Sequence, residues 1–148
     1  MKNNQTYILP NGLSVHHLNK QETDFVYEEI FKEQIYFQHG ISLKENATVF
    51  DIGANIGLFT LFIKQKYPSA RVYAFEPSEE AFQCLQRNTS PYATTVMIYQ
   101  CGISNDDKES VLTFYPSNSI MSGFYGNLEE EKSFLQDYIK EHLVQSRP

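Results

Sequence analysis

Thr48-Val49-Phe50-Asp51-Ile52-Gly53-Ala54-Asn55-Ile56-Gly57 is the stretch whose reading decides the fold of this chain. Its first half is β-branched and aromatic, and Val49, Phe50 and Ile52 read as a short strand buried on both faces. Gly53 and Gly57 then punctuate a turn, and Leu58-Phe59-Thr60-Leu61-Phe62-Ile63 follows with the apolar spacing of a helix. The helix is expected to run to about Tyr67, because Pro68 restricts the residue before it. Strand, glycine turn and helix together make a cradle for a nucleotide-like ligand. Glycine lets the backbone approach closely, and a helix N-terminus offers unpaired N–H groups. Arg71-Val72-Tyr73-Ala74-Phe75 reads as a second strand and ends in Glu76-Pro77. An acidic residue at that tip, about 20 residues past the turn, is where such folds grip a ribose.

The spacing narrows the ligand. A dinucleotide fingerprint has the form G-x-G-x-x-G. Aligned on Gly53, its second glycine position holds Asn55 and its third holds Leu58. Asp51 stands at the strand end just before the turn, where a carboxylate repels a pyrophosphate but accepts a bond from an ammonium group. The turn therefore favours a nucleoside with a cationic amino-acid tail over a nicotinamide dinucleotide. S-adenosylmethionine is that ligand.

Asp51-Ile52-Gly53-Ala54-Asn55-Ile56-Gly57 followed by Phe75-Glu76-Pro77 resembles the FkbM-type branch of the class I S-adenosylmethionine-dependent methyltransferases. Leu9-Pro10-Asn11-Gly12, Glu22-Thr23-Asp24-Phe25, Glu29-Ile30-Phe31 and His39-Gly40-Ile41 resemble the lead-in of family members from polyketide and nonribosomal peptide pathways. The resemblance covers nearly the whole chain. It implies an α/β, Rossmann-like sheet and O-methyl transfer to a small-molecule hydroxyl, with a polyketide or peptide natural product as acceptor. It also implies that the loop after the third strand closes on the adenine ring through backbone groups. The cofactor-binding candidates are thus Asp51, Gly53, Asn55, Gly57, Glu76, Gly102 and Ile103. No general base is assigned.

Composition agrees with one globular domain: 148 residues, 41% hydrophobic and 20% charged. A net charge of -6 and the lack of a basic run argue against a nucleic-acid backbone as partner. Cys84 and Cys101 make neither a metal nor a disulfide pattern, so a reducing cytoplasm is the expectation. No apolar run approaches the ~20 residues of a membrane span. His16 and His17 are adjacent, so on a strand they point to opposite faces and serve no common metal. Cys101 reads as a small buried residue at a strand end, since methyl transfer needs no enzyme thiol.

Residues 1–47 form the lead-in, two short strands around Pro10-Asn11-Gly12 and then a helix over Phe25 to Phe31 capped by Thr23 or Asp24. Tyr36 and His39 read either as packing and surface residues or as parts of a lid. Residues 48–148 form a partial cofactor-binding domain. Within it, Ser78 caps a helix whose buried stripe is Ala81, Phe82 and Leu85, flanked by Cys84. Thr95 to Tyr99 is the third strand. Ser110 to Tyr115 alternates like a further strand, Pro116 to Gly126 is a loop that either lines a pocket or merely connects, and Leu128 to Leu143 is a helix.

The family's sheet continues with a fourth strand that flanks the first and carries an acidic stretch. Nothing here matches it. The expectation is a sheet truncated after its third core strand, with an appended strand and helix, whose first strand keeps an open edge that invites self-association or a partner chain. Two other functions stay open at this level: a non-catalytic remnant or subunit, and a nicotinamide-dependent oxidoreductase.

Overall fold

The computed structural model describes residues 5–113, 115, 119 and 122–124. Three β-rich runs pair in parallel in the order β3 (Thr48–Ile52), β4 (Arg71–Phe75), β5 (Val96–Tyr99). The register sets Ile52 beside Phe75 and Phe75 beside Tyr99, so the three strands end level. The ladder carries on past these ends. Gly53 and Ala54 both donate to Phe75 O at 2.9 Å, and Glu76 N donates to Tyr99 O at 3.0 Å. This continuation brings the glycine turn and Glu76 to one C-terminal rim, the usual ligand side of a parallel α/β sheet.

Helix α2 (Leu58–Lys66) links β3 to β4, and α3 (Glu79–Thr89) links β4 to β5. Lys64, in the last turn of α2, donates to the Pro68 and Ala70 carbonyls at 2.6 and 2.5 Å, fixing the return to β4. Ser78 caps α3 as expected, its hydroxyl accepting from Ala81 N, with Glu79 and Glu80 on the positive end of the helix. Cys84 lies in the buried stripe of α3 rather than beside it, and Phe82 is only partly buried.

Strands β1 (Gln5–Ile8) and β2 (Ser14–His17) form the expected hairpin, its turn completed by Gly12 at a φ of 84°. Asn88 of α3 clamps this hairpin to the domain. Its Oδ1 accepts from His16 N at 2.7 Å, and its Nδ2 donates to His16 O at 2.9 Å and to Ile56 O at 2.7 Å. Helix α1 (Lys20–Tyr27) begins earlier than expected. Asn19 is the cap, accepting from Gln21 N and Glu22 N at 2.8 and 3.2 Å. Thr23 is buried inside the helix and donates its hydroxyl to Asn19 O, while Asp24 accepts from Tyr7 and Lys20, both at 2.6 Å. A π-helical turn, Glu28–Lys32, then a 3₁₀ turn, Ile35–Phe37, complete the lead-in.

Two expectations about strands need correction. β3 is not buried on both faces: Phe50 and Ile52 are 62% and 63% exposed. The strands bury their other face, which carries Asp51, Val72, Ala74 and Val96, while on the opposite face Phe50 and Tyr99 are exposed and Tyr73 and Phe75 half-buried. Those rings stack on one another at centroid distances of 5.1–6.3 Å. β3 also pairs with β4 alone among the described residues, so its second edge is open. Where a strand was expected over Ser110 to Tyr115, the described residues show an isolated antiparallel bridge between Thr113 and Gly123. The helix expected over Leu128 to Leu143 lies outside the described residues.

Candidate functional site

Glu76 is buried at the tip of β4, and backbone donors hold it in place. Its Oε2 accepts from Asn55 N and its Oε1 from Ser78 N, both at 2.8 Å. Each carboxylate oxygen has two acceptor positions, so one on each remains for a ligand hydroxyl. Burial pushes the Glu76 carboxyl up, and the two N–H groups pull against that shift. Asn55 presents its N–H because the turn is left-handed there, with φ of 76° at Gly53 and 50° at Asn55. A Cβ on Gly53 would meet nothing within 4 Å, so open space lies above the turn.

Asp51 is buried at the end of β3, with its Oδ2 accepting from Thr60 Oγ1 at 2.6 Å. Burial pushes its carboxyl up to about 6, against the Thr60 hydrogen bonds and with added repulsion from Glu76.

Two cavities meet at the glycine turn. The smaller, about 240 Å³, is lined by Glu76, Gly102, Ile103, Ser119 and Phe124, among others. The larger, about 550 Å³, is lined by Asp51, Glu22, Glu29, Tyr36 and a mostly apolar wall. Ile52, Gly53 and Asn55 line both. No lysine, arginine or histidine lines either one, so the combined site is anionic among the described residues. The larger cavity also touches the four consecutive residues Val49, Phe50, Asp51 and Ile52. Successive strand residues point to opposite faces, so one cavity reaches all four only along the open edge of β3.

Of the sequence-predicted residues, Asp51, Gly53, Asn55, Glu76, Gly102 and Ile103 thus converge on joined space. Gly57 does not, since it lines neither cavity. Its φ of 90° opens α2, and a Cβ there would stand 2.7 Å from Leu85 Cδ1, so its role is packing against α3. Tyr36 lines the larger cavity and packs on Phe59 at 4.7 Å, whereas His39 lines neither. Cys101 is exposed rather than buried. Glu22, quoted above only within the lead-in resemblance, and Ser119, in the loop from Pro116 to Gly126, were given no site role of their own, yet both reach Asn55. No local spacing signals that meeting. Among the described residues, no group of three or more His, Cys, Asp or Glu is placed to hold a metal, and no helix is long and apolar enough to cross a membrane.

The Methyltransferase FkbM domain matches residues 51–147, most of the chain. This chain belongs to the FkbM methyltransferase family. The methyl donor of that family is S-adenosylmethionine. The chain is 39% identical over 132 residues to the 31-O-demethyl-FK506 methyltransferase FkbM of Streptomyces tacrolimicus, covering 89% of this chain and 51% of that one. It is 41% identical over 133 residues to the AMB antimetabolite synthetase AmbE of Pseudomonas aeruginosa, covering 88% of this chain and 6% of that one. The chain thus spans about half, or less, of the length of these relatives. The crystal structure of methyltransferase FkbM from Methylobacillus flagellatus KT aligns over 53% of this chain and 22% of its own length, at 22% identity and a TM-score of 0.42. FkbM family membership displaces the nicotinamide-dependent oxidoreductase reading.

Proposed function

We propose that this FkbM-family chain binds S-adenosylmethionine across its two joined cavities and serves O-methyl transfer to a small-molecule hydroxyl, as the enzyme or as its cofactor-binding part. The observation that carries the reading is the pair of buried carboxylates, Asp51 and Glu76, on either side of an open left-handed turn with no cationic side chain lining either cavity among the described residues. A diphosphate would meet repulsion there, while a ribose diol and an ammonium group find acceptors. Glu76 takes the ribose hydroxyls in the smaller cavity, where Gly102 and Ile103 lie against the adenine. Gly53 lets the chain of the ligand pass between the cavities. Asp51 faces the ammonium group in the larger one. When bound, S-adenosylmethionine would supply an activated methyl group to the acceptor hydroxyl, whose proton would leave to a base. The protein's part is orientation, which accounts for much of the gain in a displacement of this kind.

The 31-O-demethyl-FK506 methyltransferase and the antimetabolite synthetase among the relatives support a polyketide or peptide natural product as acceptor. Two free cysteines, Cys84 and Cys101, suit the cytoplasm. Thermal-shift measurements with S-adenosylmethionine, S-adenosylhomocysteine, NAD and NADP test the cofactor. Stabilisation by the first two and not the others is expected, and a shift with NAD alone would overturn the reading. A partner chain or a second copy is proposed along β3, because the larger cavity runs beside that strand's open edge.

A further inference from the structure

Glu22, Asn55 and Ser119 come from three separate stretches and meet between the two cavities. Glu22 Oε2 accepts from Ser119 N at 2.8 Å, and Glu22 Oε1 accepts from the Ser119 hydroxyl. Asn55 Nδ2 donates to Ser119 Oγ at 2.8 Å and to Glu22 Oε1 at 3.4 Å. Asn55 is itself held, its Oδ1 accepting from Ile56 N at 2.6 Å and its N–H donating to Glu76. A continuous run of hydrogen bonds therefore links the lead-in helix, through Ser119, to the carboxylate at the tip of β4.

Ser119 is tied to its described neighbours in a strap made of residues 112, 113, 115, 119 and 122–124. Thr113 and Gly123 exchange backbone hydrogen bonds at 2.9 and 3.1 Å, Tyr115 N donates to Ser122 Oγ at 3.0 Å, and Ser122 N donates to Ser119 O at 3.1 Å. Leu112, Ser119, Ser122, Gly123 and Phe124 of this strap wall the smaller cavity. The Phe124 ring lies so close to Gly102 that a Cβ there would collide with it. Glu22 lines the larger cavity. One carboxylate on the lead-in thus holds down the wall of the opposite cavity.

We propose that Glu22 is a positioning residue that latches the strap over the cofactor site, so that ligand exchange requires the Glu22–Ser119 pair to part. The chemistry explains a glutamate at this place. Three donors face it, the Ser119 N–H, the Ser119 O–H and the Asn55 amide, and an ionised carboxylate is an acceptor only. A glutamine of the same shape would turn an NH₂ group toward those donors. Part of the inference, the control of ligand exchange, rests on the cavities being the S-adenosylmethionine site. The closure itself does not.

The test uses the full chain with E22Q and S119A, separately and combined, and S-adenosylhomocysteine as probe. Amide hydrogen exchange of residues 113–123 in the ligand-free protein reads the latch. Dissociation of the probe reads its consequence. Exchange in the strap is expected to accelerate in both single variants. Probe dissociation is expected to be about tenfold faster in E22Q, the size of losing hydrogen bonds to a charged group, and association is expected to quicken too, since the ligand-free protein carries the same latch. The double variant is expected to show less than the sum of the two single effects, because both changes act on one group of hydrogen bonds. Unchanged strap exchange would overturn the latch, even if the unaltered protein bound no probe and the cofactor reading fell separately. Faster strap exchange with unchanged dissociation would overturn its control of the ligand, and a lowered melting temperature alone would mean a purely structural contact. If E22Q fails to fold, S119A decides by the same readouts.

Discussion

Glu76 is bonded to two backbone N–H groups before any ligand arrives, so it is set in place by the fold rather than by what it binds. Replacing it with alanine is expected to weaken S-adenosylhomocysteine by about 1.5–3 kcal/mol, roughly ten- to a hundredfold. Calorimetry reads this directly, and unchanged affinity would remove Glu76 from the site. Asp51 makes a pH prediction. Its folded carboxyl titrates at about 6, above the ~3.9 of an unfolded aspartate. The folded, ligand-free protein therefore holds that proton more tightly. The stability it contributes is complete below about pH 4 and is lost as pH rises through about 6, by up to about 3 kcal/mol. Urea unfolding between pH 4 and 7.5 should show this slope, and D51N should lack it. A cationic ligand needs the ionised form, so its affinity is expected to rise through the same window. Asp51, Gly53 and Glu76 were legible because their chemistry lies within one strand–turn–helix unit and the tip of the next strand. Glu22 and Ser119 were not, because 97 positions separate them and only the folded chain brings their donors and acceptors together.

At the level of elements, the sequence patterns located β3, β4, β5, α2 and α3 well, since each carries its own apolar period and punctuation. The start of α1 was misplaced because Asn19, Thr23 and Asp24 are all good caps. Burial decided among them: Thr23 is inside the packing, which leaves the cap to Asn19. Gly57 shows how one residue joins two helices. G57A should cost about 1–3 kcal/mol, from a positive φ and from crowding against Leu85, with the ligand-facing turn otherwise intact. Asn88 joins the lead-in to the domain in a similar way. N88A strands the His16 N–H and two carbonyls, and a loss of about 3 kcal/mol is expected, together with faster proteolysis at the hairpin. Chemical denaturation measures both losses. An N88A protein as stable as the unaltered one would mean that the hairpin docks by its apolar contacts alone.

Over the whole molecule, the described residues build one covered and one uncovered side. The sequence suggested a strand buried twice over, because Val49, Phe50 and Ile52 are all apolar. Periodicity reports what a face can bury, not what is there to bury it. An open β3 edge beside exposed Phe50 and Ile52 is expected to pair with a second copy or a partner. Sedimentation velocity should show concentration-dependent association that I52K reduces. A monomer at every concentration would remove the edge proposal. The stacked rings of that side have an optical consequence. The chain contains no tryptophan, so its near-ultraviolet signal comes chiefly from tyrosine. Tyr73 and Tyr99 stand in the row with Phe50 and Phe75, on the side where Phe50 and Tyr99 are exposed. Whatever settles there will change their surroundings, and comparison with Y73F and Y99F separates their contribution from that of the other tyrosines. The sheet thus carries its own chromophores for detecting what closes it.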